Sequence, residues 1–328
     1  MEMTMRRRSL NKAALAALAG IAPKVWAQAG SAGWPSRPVR ILVGFPAGSS
    51  PDIVARTLGE SLAKVLGQPV IIENKPGASG NIAADQVAKS TDDHTLGVVI
   101  NGNLTTAKTL YPKLPFDPAK DFAYLSLLTT SPLMLVAPAK SPEGAAFFAA
   151  AVQNGDKWNY GSVGPGSVGD LGMELLETKV KGLAPVHVPF KGNTEVITAL
   201  ISGEIQMALV PPSIAKPQVN AGKLRAIGLS SARSALAPGI PSLSEFGVRD
   251  FNLEVWAALV GPAGLSKAAQ DRLDLEVPKF LHAAQTRQAL LAQGWQAVGS
   301  SPGELKTRVN SEAVTMNRLI ASLGIKLE

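Results

Sequence analysis

The stretch Val39-Arg40-Ile41-Leu42-Val43-Gly44-Phe45-Pro46-Ala47-Gly48-Ser49-Ser50-Pro51-Asp52 decides the fold. Its first half is a run of aliphatic residues of strand length, and its second is a turn of small residues. From Asp52 onward Ile53, Val54, Leu58, Leu62, Val65 and Leu66 recur at helical spacing. The unit then repeats. Val70-Ile71-Ile72-Glu73 leads into a loop over 74–80 and a helix over 81–89, and a strand over 96–100 leads into the loop Asn101-Gly102-Asn103. Strands alternating with helices in this way predict a parallel sheet with helices on its faces.

A proline-rich connection over 111–118 follows, then an apolar run over 122–137 that reads as an extended passage between domains. A second α/β block has expected strands at 158–161, 184–188, 205–210 and 224–229, and expected helices at 168–179, 195–202 and 212–221. A returning strand over 253–260 and helices over 267–281, 283–293 and 302–323 complete the chain. The expected fold class is therefore α/β with two lobes, each a central sheet flanked by helices. Residues 30–128 and 254–328 form the first lobe and 129–253 the second. Two crossings permit a hinge, and ligands of open α/β sheets settle at the carboxyl ends of strands, which places the site in the cleft between lobes.

Ahead of this lies Arg6-Arg7-Arg8 with Lys12, an apolar run over 13–21, and small residues around Ala27 and Ala29. That run is shorter than the roughly 20 residues of a membrane span, and the pattern is that of a cleavable signal peptide over 1–29. The arginines suit a twin-arginine signal and an ordinary basic leader equally. Cleavage after Ala27 removes five basic residues and one acid, so the net charge falls from +7 to +3. No Lys/Arg cluster survives it, so nucleic acid is not an expected partner. The small positive excess is compatible with an anionic solute. The chain has no cysteine, which removes disulfides and thiolate metal sites, and 46% hydrophobic residues supply ample core.

Little else in the sequence promises chemistry. The three histidines, His94, His187 and His282, are too scattered for a metal pair, and His187 lies within an apolar strand. Gly-x-Ser-x-Gly is broken by Pro165 and Tyr160 at its first position, and neither Walker A nor Gly-x-Gly-x-x-Gly follows a strand, so no cofactor is expected. Three small-residue loops stand out, at 45–52, 74–81 and 161–167. Each offers backbone N–H groups at a helix start, where the helix dipole favours a carboxylate. The same residues also serve as ordinary turns, with Ser50 or Asp52 as an N-cap.

The chain resembles the tripartite tricarboxylate transporter receptors, often called Bug proteins, over essentially all of its length after the leader. The resemblance rests on Trp34-Pro35-Ser36-Arg37-Pro38-Val39, Phe45-Pro46-Ala47-Gly48 with Asp52, Leu66-Gly67-Gln68-Pro69, Glu73-Asn74-Lys75-Pro76-Gly77-Ala78, Leu110-Tyr111-Pro112, Asn159-Tyr160-Gly161-Ser162, and Val186-His187-Val188-Pro189-Phe190. It implies a periplasmic type II binding fold that closes on a small organic or amino acid and presents it, as a monomer, to integral-membrane permease subunits. It points to Phe45, Ala47, Gly48 and Ser49 for a carboxylate, to Asn101 and Asn103 in the same lobe, and to Ser162, Gly166, Ser167 and Val210 in the other. Asp170 stands where such proteins commonly carry a histidine, close to a helix start that it can cap. Val210 stands where they commonly carry an aspartate, and with Pro211 and Pro212 it suggests an apolar or aromatic distal group on the ligand. The expected function is solute capture for transport rather than catalysis. A signalling receptor and an exported α/β hydrolase are the alternatives, the last requiring a nucleophile beside a base that the sequence does not reveal.

Overall fold

A computed structural model describes residues 33–324; the expected leader lies outside them. The opening stretch forms β1 (Val39–Val43) and α1 (Ser50–Leu66). Val39, Ile41 and Val43 face one core cluster and Leu42 another, because the strand is buried on both sides. β1 pairs in parallel with β2 (Val70–Asn74) and β3 (Thr95–Ile100). α1 lays Val54, Ala55, Leu58 and Leu62 on one face of this sheet, and α2 (Asn81–Ala88) lays Ala83, Ala84 and Val87 on the other. Residues 101–103, expected as a loop, begin a short helix α3 (Asn101–Thr105), followed by α4 (Ala107–Leu110).

The first sheet is mixed rather than parallel. β10 (Glu254–Pro262) runs antiparallel to both β3 and β4 (Phe122–Pro132), and β11 (Gln296–Ala297) closes the edge, giving the order β11-β4-β10-β3-β1-β2. The second sheet has the order β7-β6-β8-β5-β9, built from β5 (Met134–Pro138), β6 (Asn159–Ser162), β7 (Val186–Pro189), β8 (Met207–Val210) and β9 (Leu224–Leu229). Its parallel trio β7-β6-β8 repeats β2-β1-β3, and in both sheets the next strand is antiparallel. The helices α5 (Gly144–Asn154), α6 (Val168–Lys179), α7 (Asn193–Ser202) and α8 (Pro212–Asn220) belong to this lobe. α9 (Lys267–His282), α10 (Ala284–Ala292) and α11 (Pro302–Leu323) follow the return to the first lobe.

The apolar run over 122–137 is two strands broken at one residue. β4 remains in the first sheet through Pro132, paired with β10, so the first crossing falls at Leu133, four residues beyond the expected boundary. Ser230, fully buried, clasps the two crossings together. Its Oγ accepts from Leu133 N at 2.8 Å and donates to Leu253 O at 2.6 Å, while its own N–H donates to Leu133 O at 2.8 Å.

Candidate functional site

Two loops in equivalent positions, after β1 and after β6, carry the same pattern, Gly-Ser-x-x-Asp: Gly48-Ser49-Ser50-Pro51-Asp52 and Gly166-Ser167-Val168-Gly169-Asp170. Their backbones match. The glycines stand at φ +78° and +77°, which a side chain disfavours, and the serines cap α1 and α6 at φ, ψ of −70°, 160° and −66°, 157°. In each loop the aspartate reaches back to the glycine: Asp52 Oδ2 accepts from Gly48 N at 2.8 Å, and Asp170 Oδ2 from Gly166 N at 2.7 Å. Each carboxylate thus tightens a turn that delivers a helix N-terminus, with its unpaired N–H groups, to the boundary between lobes.

Between these termini lies a cavity of ≈ 40 Å³, lined by Phe45 and Ser49 of the first loop, Ser167 of the second, Leu209 and Pro211 from the end of β8, and Trp295. No charged side chain among the described residues lines it. Two of its polar atoms, Ser49 Oγ and Trp295 Nε1, are buried without a hydrogen-bond partner among the described residues. The lobes touch around this cavity. Tyr111 OH and Ser79 Oγ donate to Pro165 O at 3.0 and 3.1 Å, Thr106 Oγ1 donates to Gly166 O at 3.3 Å, and Ser50 Oγ lies 3.1 Å from Ser213 Oγ.

Of the residues singled out from sequence, Phe45, Ser49 and Ser167 meet at this cavity. Ala47 and Gly48 are exposed and do not line it. Asn101 turns toward α11, donating to Glu312 Oε1 at 2.8 Å, and Asn103 is consumed inside its own lobe by Ser79 O, Asn81 Oδ1 and Ile100 N. Gly166 serves the turn, and its carbonyl the contact with Thr106. Val210 packs into the second lobe's core, because strand alternation sends its neighbours Leu209 and Pro211 to the cavity instead. The apolar lining expected from Val210 is therefore provided by those neighbours. The repeated Gly-Ser-x-x-Asp pattern was a sequence signal for the paired loops. Nothing local to residues 293–297 announces Trp295.

The parallel pairing of β6 with β7 also brings a serine beside a histidine. His187 Nε2 lies 2.8 Å from Ser162 Oγ, its Nδ1 lies 3.4 Å from Asp170 Oδ1, and its ring stacks on Tyr160 at 4.8 Å. The nucleophile and base that the sequence did not reveal are thus adjacent, but the serine is 2% exposed and also accepts from Gly164 N at 3.1 Å. Asp170 already takes the hydroxyl of Tyr160 at 2.9 Å as well as Gly166 N. The group braces the second loop from below. Burial, together with Asp170 and Glu174, pushes the Tyr160 hydroxyl far up, so it remains a donor. Beneath the first loop, burial works to raise the Asp52 carboxyl, but hydrogen bonds from Arg56, Gly48 N and Asn74 outweigh it and hold the group below the usual carboxylate range. Among the described residues no group of three His, Asp or Glu side chains is placed to hold a metal.

The sequence model described as "Tripartite tricarboxylate transporter family receptor" matches residues 54–325. A Cupriavidus necator relative, the UPF0065 protein in the gbd 5' region, is 37% identical over 85% of this chain and 84% of its own. Protein BugT of Bordetella pertussis is 29% identical over 95% of this chain and 96% of its own. An R. palustris protein determined with adipate superposes with a TM-score of 0.86 at 28% identity, over 90% of this chain and all of its own. MatC from Rhodopseudomonas palustris, with bound malate, superposes at 0.82 and 31% identity, over 88% of this chain and all of its own. With two lobes of repeated topology around a cleft where paired helix N-termini meet, the chain belongs to the tripartite tricarboxylate transporter receptors, periplasmic solute-binding proteins of the type II fold.

Proposed function

We propose that the chain captures a small carboxylate between its lobes and presents it to permease subunits in the membrane, without transforming it. The observation that carries this reading is the paired Gly-Ser-x-x-Asp loops, which bring the N-termini of α1 and α6 to one cavity where, among the described residues, no charged side chain competes. Adipate and malate in two structural relatives support the ligand class. Phe45, Ser49 and Ser167 are the contacts at the cavity, and the closing contacts on Pro165 and Gly166 couple its occupation to the hinge at Leu133 and Ser230. Export by the leader over 1–29, monomeric action and transfer to the permease complete the proposal. A thermal-shift screen of residues 30–328 against mono- and dicarboxylates, aromatic acids and acidic amino acids tests it. A ligand at 100 times its Kd adds about 2.7 kcal/mol, or several degrees. A cooperatively melting protein whose midpoint no acid moves would overturn the reading.

The Ser162–His187 contact supports a second reading, a hydrolase. Turnover of chromogenic esters that disappears in His187→Ala would establish it; background rates in both proteins are the expected result.

A further inference from the structure

We propose that Trp295 is a second polar anchor of the cleft, donating its indole N–H to an oxygen acceptor at the end of the solute remote from the carboxylate. The proposal rests on the carboxylate-receptor reading and gives it a specificity: an acid with an apolar middle and an oxygen acceptor beyond it, with an ammonium at that end excluded.

Trp295 is fully buried and lines the cavity, yet its Nε1 has no partner among the described residues. A buried indole N–H ordinarily finds an acceptor, because leaving it unpaired forfeits its hydration. Its backbone is fixed at the boundary between lobes. Gly294, at φ +82°, lies so close to α8 that a Cβ there would stand 2.5 Å from Ser213 N. Ser131 Oγ donates to Gly294 O at 2.8 Å, and Trp295 N donates to Leu290 O at 2.9 Å. A donor held this firmly is pre-organised, so little ordering is lost when an acceptor arrives.

The rest of the lining sorts solutes by exclusion. The other buried polar atom of the lining without a partner among the described residues is Ser49 Oγ, at the N-terminus of α1, where a carboxylate belongs. The remaining walls, Ile100, Val163, Leu209 and Pro211 among them, are largely apolar and suit a carbon skeleton. The indole N–H is a donor without acceptor capacity. An ammonium at that end meets another donor and, among the described residues, no Asp or Glu on the cavity wall to balance its charge. Ketone, hydroxyl and carboxylate oxygens share the required acceptor chemistry.

The test compares hexanoate, 5-oxohexanoate, adipate and 6-aminohexanoate by titration calorimetry on residues 30–328 and on Trp295→Phe, which keeps an aromatic ring in place. Wild type is expected to prefer 5-oxohexanoate or adipate over hexanoate roughly tenfold and to bind 6-aminohexanoate weakest. The two oxygen-bearing arms distinguish a neutral acceptor from a second carboxylate. Trp295→Phe is expected to erase the preference, so that 5-oxohexanoate and adipate lose roughly tenfold more affinity than hexanoate does. The indole proton resonance that the substitution removes should shift in wild type with the preferred acid and stay in place with hexanoate, a readout independent of how well the variant folds. Equal loss of all acids in the variant, an unmoved indole resonance, or 6-aminohexanoate binding as well as 5-oxohexanoate overturns the assignment. If none of the four binds wild type while another acid of the thermal-shift panel does, the Trp295 assignment fails and the receptor reading stands; if no acid of either set binds, the receptor reading itself fails.

Discussion

The loops Gly48–Asp52 and Gly166–Asp170 share sequence pattern, dihedral angles and the aspartate-to-glycine bond, and they differ in what lies behind them. In the first, Asp52 is tied to Arg56 at 2.9 Å and Asn74 at 2.8 Å, near solvent, and the Ser49 hydroxyl is left unpartnered. In the second, Asp170 sits on a stack of buried Tyr160 and half-buried His187, and the Ser167 hydroxyl accepts from Asp170 N at 3.4 Å. The second loop also takes three hydrogen bonds from the opposite lobe on Pro165 O and Gly166 O, against the single Ser50–Ser213 hydroxyl contact of the first. One piece of backbone thus serves two tasks: the first loop keeps a donor free for the solute, and the second is braced so that closure ends in one geometry.

The largest test of that division is stability. Asp170→Ala leaves Gly166 N without its buried acceptor, Tyr160 OH with Glu174 Oε1 alone at 3.0 Å, and the His187 stack without its carboxylate, and is expected to cost about 3 kcal/mol. Asp52→Ala should cost about 2 kcal/mol, because Arg56, half exposed, regains water. Denaturant midpoints at constant m-value measure both; a costlier Asp52→Ala would break the comparison. Next comes closure. A Cβ on Gly166 would stand 2.2 Å from Leu110 Cδ1 of the other lobe, whereas one on Gly48 meets nothing within 4 Å. Gly166→Ala is therefore expected to weaken carboxylate binding tenfold or more, and Gly48→Ala to lose about 1–2 kcal/mol of stability from its positive φ with affinity within a few-fold. Calorimetric titration with the acid selected by the thermal-shift screen separates the two. The serines follow: Ser49→Ala should lower affinity with an unchanged melting point, and Ser167→Ala should lose about 1 kcal/mol of stability as a lost N-cap. Identical behaviour of the two variants would merge the loops' roles.

How far the sequence revealed these loops follows from what each feature depends on. α6, α11 and β9 fall where the apolar pattern puts them, since that signal is local. α5 was not foreseen, because Ala145-Ala146-Phe147-Phe148-Ala149-Ala150-Ala151-Val152 is apolar on every side and has no period to read. The crossing at Leu133 lies just after Thr129-Thr130-Ser131-Pro132 within the run over 122–137, but what fixes it there is a hydrogen bond from its N–H to a serine 97 residues away. The antiparallel direction of β10 leaves no trace in its own composition. At the site, the alternation that buries Val210 and turns Leu209 to the cavity is legible in the strand, whereas the family pattern points one residue further, to Val210. Trp295 and the Ser162–His187 pair exist only through packing between distant segments.

The smallest expected effect sharpens the comparison most, because it concerns charge rather than contacts. Four residues after the turn aspartate, the first loop's helix carries Arg56 and the second carries Glu174; three further on stand Gly59 and Glu177. The first arrangement pulls Asp52 down. In the second, burial, followed by Glu174 and Asp170, pushes Glu177 from 4.5 up to about 7. Between those values the folded protein keeps a proton that the unfolded chain has released, so this site's contribution to stability falls as pH rises through the window and levels off above 7. Glu177→Gln removes the titration. The variant should match wild type near pH 5 and exceed it at pH 8 by under ~1 kcal/mol, the half-exposed carboxylate being largely screened by water. Melting curves from pH 5 to 8 read the difference directly. Parallel curves would show that α6 tolerates its acidic face as readily as α1 uses its Asp52–Arg56 pair.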